Sequence, residues 1–304
     1  MRRLGYIEPK IYVLVHMPRT HPHTHVLVTA DTGTGDKYQK LVASMMESKI
    51  RSFTRACLLL GDNIYEVGTH GITDEQFHEK FETIYRNIAV LFYLLLGNHD
   101  WGNSYVPDGR HMSQVEYSKH SKKWNMPASY YHKSLGDCDF FFLDTNLESM
   151  NKEDTETQLQ TMLRYLNQST KRWKILCGHH TWRSVGGHGN AETPLEVFLR
   201  KLVAQGPKIH LYMCGHDHCK NVIKLKLPSQ TLHCVVIGTG GKQYDPELLY
   251  LHNVKAKDSE LLFHSPHLGF CELQSSQKHL HLTFYAPTSD TDATCVQEYD
   301  LKIS

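Results

Sequence analysis

Five short apolar runs in this chain stop, at their C-terminal ends, in a turn that carries Asp, Asn or His, and that pattern narrows the folds open to it. Val26–Ala30 leads into Asp31-Thr32-Gly33, Cys57–Leu60 into Gly61-Asp62-Asn63-Ile64-Tyr65, and Val90–Leu96 into Gly97-Asn98-His99-Asp100. Ile175–Cys177 leads into Gly178-His179-His180, and Leu211–Cys214 into Gly215-His216-Asp217-His218. Runs this short between polar or glycine-rich turns read as buried strands. Strands alternating with segments of helical period make an α/β protein, and open α/β sheets bind ligands at the C-terminal ends of their strands. A glycine ahead of the polar residues lets the chain turn sharply off the strand, so that carboxylate, amide and imidazole groups can converge. The pattern predicts one functional rim.

Phe140–Leu143 reads as a further strand, and Thr231–Ile237 and His279–Tyr285 as later ones. Thr73-Asp74-Glu75-Gln76 has the form of a capping box and is expected to open a helix with Phe77, Phe81, Ile84 and Ile88 on one face. Thr193-Pro194 is expected to cap and start another helix, and Leu159, Met162, Leu163 and Leu166 mark the apolar face of a third. With 304 residues, no internal repeat and no linker-like stretch, a single domain spanning 1–304 is expected, its core at about 24–304 behind an N-terminal extension 1–23.

The 33 basic and 32 acidic residues nearly cancel, which removes the electrostatic case for nucleic acid or a membrane surface as partner. Ile11–His16 is far too short to span a bilayer and is followed by Pro18. Met1-Arg2-Arg3-Leu4 resembles the charged start of a secretion signal, but Glu8, Pro9 and Lys10 interrupt the apolar stretch that such a signal needs. Cys57, Cys177 and Cys214 sit in or at the end of apolar runs, where a free thiol behaves as a small hydrophobe. Together these features lead us to expect a reducing, cytoplasmic setting. Asn167-Gln168-Ser169, a glycosylation acceptor sequence, points the other way.

Singly, each polar turn is a weak signal, because Asp-x-Gly and Gly-His more often make turns or caps than ligands. Together, their mixture of carboxylate, amide oxygen, imidazole and phenol suits a pair of metals of intermediate hardness, and the lack of thiolates argues against structural zinc. Cys214 and Cys219 bracket Gly215–His218 without the second thiol pair of a zinc knuckle. Among the 22 histidines, His16, His21, His23 and His25 fit no motif turn, and His180 reads as a neighbour of the site. Gly238-Thr239-Gly240-Gly241 lacks the spacing and lysine of a phosphate-binding loop and is expected to be a flexible site-edge loop.

In this order the five turns resemble the metallophosphoesterase signature, and Tyr65 narrows the resemblance to purple acid phosphatases. Tyr117-Ser118-Lys119, Lys123-Trp124-Asn125 and Cys214–His218 resemble the mammalian tartrate-resistant enzymes, and the similarity runs from about Val26 into the C-terminal strands. The resemblance implies a four-layer sandwich of two mixed β-sheets flanked by helices. It also implies a ferric ion held by Asp31, Asp62, Tyr65 and His218, with Asp62 bridging to a divalent ion, Fe(2+) or Zn(2+), completed by Asn98, His179 and His216. His99 and His188 would steady the phosphate and protonate the leaving oxygen. The implied reaction is acid hydrolysis of phosphate monoesters by direct attack of a metal-bound hydroxide, on a small phosphorylated substrate or a phosphoprotein. Phosphodiesterase action on nucleotides or lipid head groups is an alternative, as is a non-catalytic metal- or phosphate-binding or redox protein. Oligomeric state is left open.

The chain departs from the mammalian pattern in three respects. Thr32 stands where those enzymes have Trp, and Trp101 where a second His is frequent; neither position supplies a ligand, but both shape the pocket. The disulfide cysteines of the secreted enzymes have no counterparts near Leu147 or Thr193, and secretion or lysosomal delivery is the alternative to a cytoplasmic setting. Only Thr145–Thr157 separate the strand that ends near Asp144 from the next helix, too little for a repressive lid, so the protein is expected to be active as made.

Overall fold

A computed structural model describes residues 23–102, 109–243 and 258–303. The expectations for Met1–Leu4, Glu8–Lys10, Ile11–His16, Pro18 and His21 fall outside them. In chain order the first half comprises β1 (Thr24–Thr29), α1 (Lys37–Lys49), β2 (Ala56–Leu60), β3 (Phe92–Leu95), α2 (Met112–Tyr117), β4 (Trp124–Asn125), β5 (Tyr131–Leu135), β6 (Cys138–Phe142) and α3 (Lys152–Gln168). It continues with β7 (Trp173–Cys177), α4 (Thr193–Gln205), β8 (Leu211–Cys214), β9 (Lys220–Lys226), β10 (Thr231–Ile237), β11 (Ser259–Ser265), β12 (Phe270–Ser275), β13 (Leu280–Ser289) and β14 (Asp292–Ile303).

The strands form two seven-stranded mixed sheets, ordered β14-β13-β12-β1-β2-β3-β4 and β11-β9-β10-β8-β7-β6-β5. Strands β1 to β4 run parallel, as do β6, β7, β8 and β10, while the outer strands pair antiparallel. The second sheet explains why its strands read as unbroken apolar runs. Phe140, Phe142, Ile175, Cys177, Leu211 and Met213 point into a core shared with the first sheet. Their alternates Phe141, Leu176, Tyr212 and Cys214 pack outward against Leu159, Met162 and Leu166 of α3 and Phe198, Leu199 and Leu202 of α4. On the far side, Val42, Met45 and Met46 of α1 cover the first sheet, giving the helix–sheet–sheet–helix layering expected.

Two helix starts differ from expectation. The segment after Thr73 forms only a π-helical turn, His78–Glu82, flanked by looser turns. Asp74, not Thr73, accepts the backbone N–H groups of His70 and Gln76, at 2.9 and 3.0 Å. Phe77, Phe81 and Tyr85 are spaced by four, and the wide turn keeps all three buried beside Trp124 or Phe92 while Ile84 stays half-buried. At α4, Glu192 is the N-cap residue; Thr193 is the first helical residue and Pro194 comes next, in the first turn where its missing N–H is tolerated.

Candidate metal centre

Because β1, β2 and β3 are parallel in one sheet and β7 and β8 in the other, their C-terminal ends reach the same rim. The five polar turns meet there. Asp31, Asp62 and His216 all adopt left-handed backbone, with φ of 58°, 51° and 68°. That conformation costs a non-glycine residue of order 1–3 kcal/mol and persists where the surroundings enforce it. Gly61 has φ of +90°, and a Cβ there would sit 2.5 Å from the His179 ring, so the second turn needs glycine for both conformation and space.

Asp31, Asp62 and His179 are fully buried and offer donor atoms all within 4.8 Å of one another. His179 donates its Nδ1–H to the Leu60 carbonyl at 2.9 Å, which leaves the neutral ring's lone pair on Nε2. That nitrogen faces Asn98 Oδ1 at 3.1 Å and Asp62 Oδ1 at 3.4 Å. Three acceptors directed at one another repel unless a proton or a cation lies among them. Burial works against a charge on His179, but the Asp62 and Asp31 carboxylates beside it push its pKa up, which favours a proton in that place. Burial also works against ionised Asp62, yet His179 and His99 keep its carboxyl well below the usual range. A metal cation would satisfy the same three atoms, and the residues fit one on that ground.

A second set adjoins the first. The Tyr65 hydroxyl donates to Asp31 Oδ1 at 3.0 Å and lies 3.4 Å from His218 Nε2, which is 3.5 Å from the same carboxylate oxygen. Burial and the nearby Asp31 and Asp62 charges keep the phenol protonated, with its pKa well above the usual value. Lys242 places its ammonium 4.3 Å from the Tyr65 ring centroid. The His216 N–H donates to Asp31 Oδ2, and the His216 ring stacks on His188 at 4.0 Å. Burial, then the surrounding imidazoles, push its pKa well down, so the ring is neutral. His99 donates Nδ1–H to the Glu66 carbonyl and turns Nε2 toward Asp62, 3.9 Å away. All nine residues singled out in the sequence thus gather at one rim.

Three buried carboxylates not singled out there support it. Asp100 accepts from the backbone of Asn63, Ile64 and Gly97 and from Gln114, tying the second turn to the third. Burial, then the Asp62 charge, raises its pKa to about 6. Asp144 accepts from Trp101 Nε1 at 3.0 Å and from Asn146, and burial raises it, too, to about 6. Asp217 holds the loop that carries His188. The sequence hint is their place inside or beside the polar turns, but a carboxylate that accepts several N–H groups looks no different in sequence from one that binds metal.

One expectation needs correction. Gly238–Gly241 is no flexible edge: all four residues are buried, and a Cβ on Gly238 would meet the Asp217 carbonyl at 2.1 Å. The strand β10 delivers them into the narrow space behind Asp31. His25, which fits no motif turn, is a core residue: it is fully buried, bonded through Nδ1 to Thr54 at 2.8 Å and through Nε2 to Glu272. All eight cysteines are free, seven of them buried.

A family model described as calcineurin-like phosphoesterase matches residues 24–220, the stretch that contains all five turns. The chain belongs to the calcineurin-like phosphoesterases. Tartrate-resistant acid phosphatase type 5 of Rattus norvegicus is 28% identical over 252 residues, covering 74% of this chain and 73% of the relative. Among solved structures, GAP50, the anchor in the inner membrane complex of Plasmodium, superposes with a TM-score of 0.69 at 20% identity over 92% of this chain and 89% of that one. Purple acid phosphatase PPD1 from seeds of Lupinus luteus superposes with a TM-score of 0.65 at 17% identity over 92% of this chain and 54% of the other. Those two likenesses speak to the fold alone. Membership of the calcineurin-like phosphoesterases, with the buried carboxylate–imidazole triad, makes the chain a metal-dependent phosphatase in kind. No described helix is long and apolar enough to cross a membrane.

Proposed function

We propose that this phosphoesterase is a dinuclear acid phosphatase of the purple type, acting on phosphate monoesters. The observation that carries the reading is the convergence of Asp62 Oδ1, Asn98 Oδ1 and His179 Nε2 on one point beside a Tyr65–Asp31–His218 cluster. Asp31, Tyr65 and His218 would hold a ferric ion, Asn98, His179 and His216 a divalent Fe(2+) or Zn(2+), and Asp62 both. Bound there, the two ions supply a water of lowered pKa and neutralise charge on the phosphoryl group. No side chain is assigned as nucleophile.

The protein's own contribution is position and protons. His99, fixed by its bond to Glu66, steadies a phosphoryl oxygen beside Asp62. His188, stacked on His216, delivers a proton to the departing alcohol oxygen. The cavity next to it, about 300 Å³, is lined in part by Asn98, Asn146, Leu147, His188 and Leu195 and receives the alcohol portion. Glu148 and Glu192 also line it, whereas none of its described lining residues is Lys or Arg, which suits an alcohol without further negative charge. The expected partners are small phosphorylated molecules or phosphoproteins, and the expected setting, from the free cysteines, is reducing and cytoplasmic. Release of nitrophenol from a nitrophenyl monoester and from a nitrophenyl diester, by the metal-loaded protein, tests the reading: a monoester preference supports it, and a diester preference replaces it with phosphodiesterase action.

A further inference from the structure

The loop between β7 and α4 carries His188, and several side chains hold it. Near its start, Trp182 and Arg183 bind Glu196 of α4, Arg183 through two bonds of 2.8 and 3.0 Å. In the part bearing His188, Thr181 Oγ1 donates to the Gly189 carbonyl and Asp217 holds the backbone N–H groups. Asp217 is fully buried, and its Oδ1 accepts the His188 backbone N–H at 2.7 Å while Oδ2 accepts that of Gly189 at 3.3 Å. Gly186 packs flat on the same carboxylate, where a Cβ would fall 2.5–2.7 Å from its carbon and oxygens. Asp217 lies between His216 and His218, so the segment that presents two candidate ligands also fixes the height of the His188 ring over His216.

We propose that Asp217 is a positioning residue for leaving-group protonation: its carboxylate clamps two loop amides and so sets where His188 stands relative to the metal centre. The inference rests on the role given to His188 above. Only a carboxylate serves, because both contacts are N–H groups; an Asn would accept one and turn its own N–H₂ toward the other. The clamp acts on protonation alone, so its loss should matter most where the leaving alcohol needs the proton most.

Asp217→Asn attacks the clamp from the ligand side, and Gly186→Ala attacks it from the loop side, pressing on the carboxylate while the ligand segment keeps its sequence. Each would be compared with the parent, alone and with His188→Ala, for kcat on an alkyl phosphate and on nitrophenyl phosphate, alongside metal content and amide exchange. Each should lower kcat on the alkyl ester by about tenfold or more, and far less on the aryl ester, with metals retained. Exchange at His188 and Gly189 should quicken, and neither change should slow His188→Ala further. Equal losses on both esters, additivity with His188→Ala, unchanged exchange, or losses that track metal content would overturn the proposal while leaving His188's role intact. A His188→Ala protein that is unimpaired on both esters would overturn both.

Discussion

Asp62 carries more of the proposed chemistry than any other residue, since its carboxylate faces His179 and His99 and accepts the His99 N–H at 3.1 Å. Asp62→Ala should therefore abolish phosphate release and deplete both metals, whereas Asn98→Ala should spare the ion assigned to Asp31, Tyr65 and His218. Metal analysis of the two variants checks this, and equal depletion in both would contradict separate ligand sets. Asp100 makes a different prediction. Asp100→Ala would leave the N–H groups of Asn63, Ile64 and Gly97 buried without an acceptor, and should lower stability by roughly 3 kcal/mol or more in denaturant unfolding. A change under about 1 kcal/mol, the scale of an ordinary surface substitution, would show that water or other groups replace it. The ligand turns are legible because glycine, carboxylate and imidazole recur at strand ends. The buried supporting carboxylates are not, since their partners are backbone amides from distant turns that no local spacing discloses.

At the scale of elements, the segment between β6 and α3 is short and firmly held. Leu143 to Leu147 are buried, Gln158 bonds both the N–H and the carbonyl of Asp144, and Asn151 caps α3 by accepting the Asp154 N–H at 2.8 Å. The segment lines the cavity beside His188 instead of folding over the centre as a lid, a placement that its length alone does not reveal. Limited proteolysis with activity measured on a chromogenic monoester should thus give no rise in turnover, and a several-fold rise coinciding with a nick between Leu147 and Glu156 would restore a repressive loop. The parallel strands are readable because burial on both faces makes them continuously apolar. The turn at His78–Glu82 reads in sequence as an ordinary helix because its buried rings, spaced by four, sit near the α period, and the choice of a wider turn lies in their packing on Trp124.

For the whole molecule, the pairing of sheets around one rim is what makes a centre from residues up to 187 positions apart in chain, from Asp31 to His218. His25 and Glu272 help to fix that frame, joining β1 to β12. Burial disfavours ionised Glu272, but bonds from His25, Gln274 and Tyr285 hold its pKa down to about 2. A carboxyl lowered by folding stabilises above its unfolded pKa and loses that contribution as pH falls through the folded value. His25→Gln should accordingly be less stable than the parent at about pH 6, by roughly 1–2 kcal/mol after solvent screening, and the gap should close toward about pH 2. A gap that widens with acid would refute the pairing. The strand ends disclose the rim, but not this buried pair, whose partners lie at opposite ends of the sequence. The most direct test of the two-metal centre is the metal content of the purified protein, read with its visible spectrum. About two ions per chain are expected, at least one of them iron, with a visible band that Tyr65→Phe removes. A single ion per chain, or zinc alone with no visible band, would contradict it.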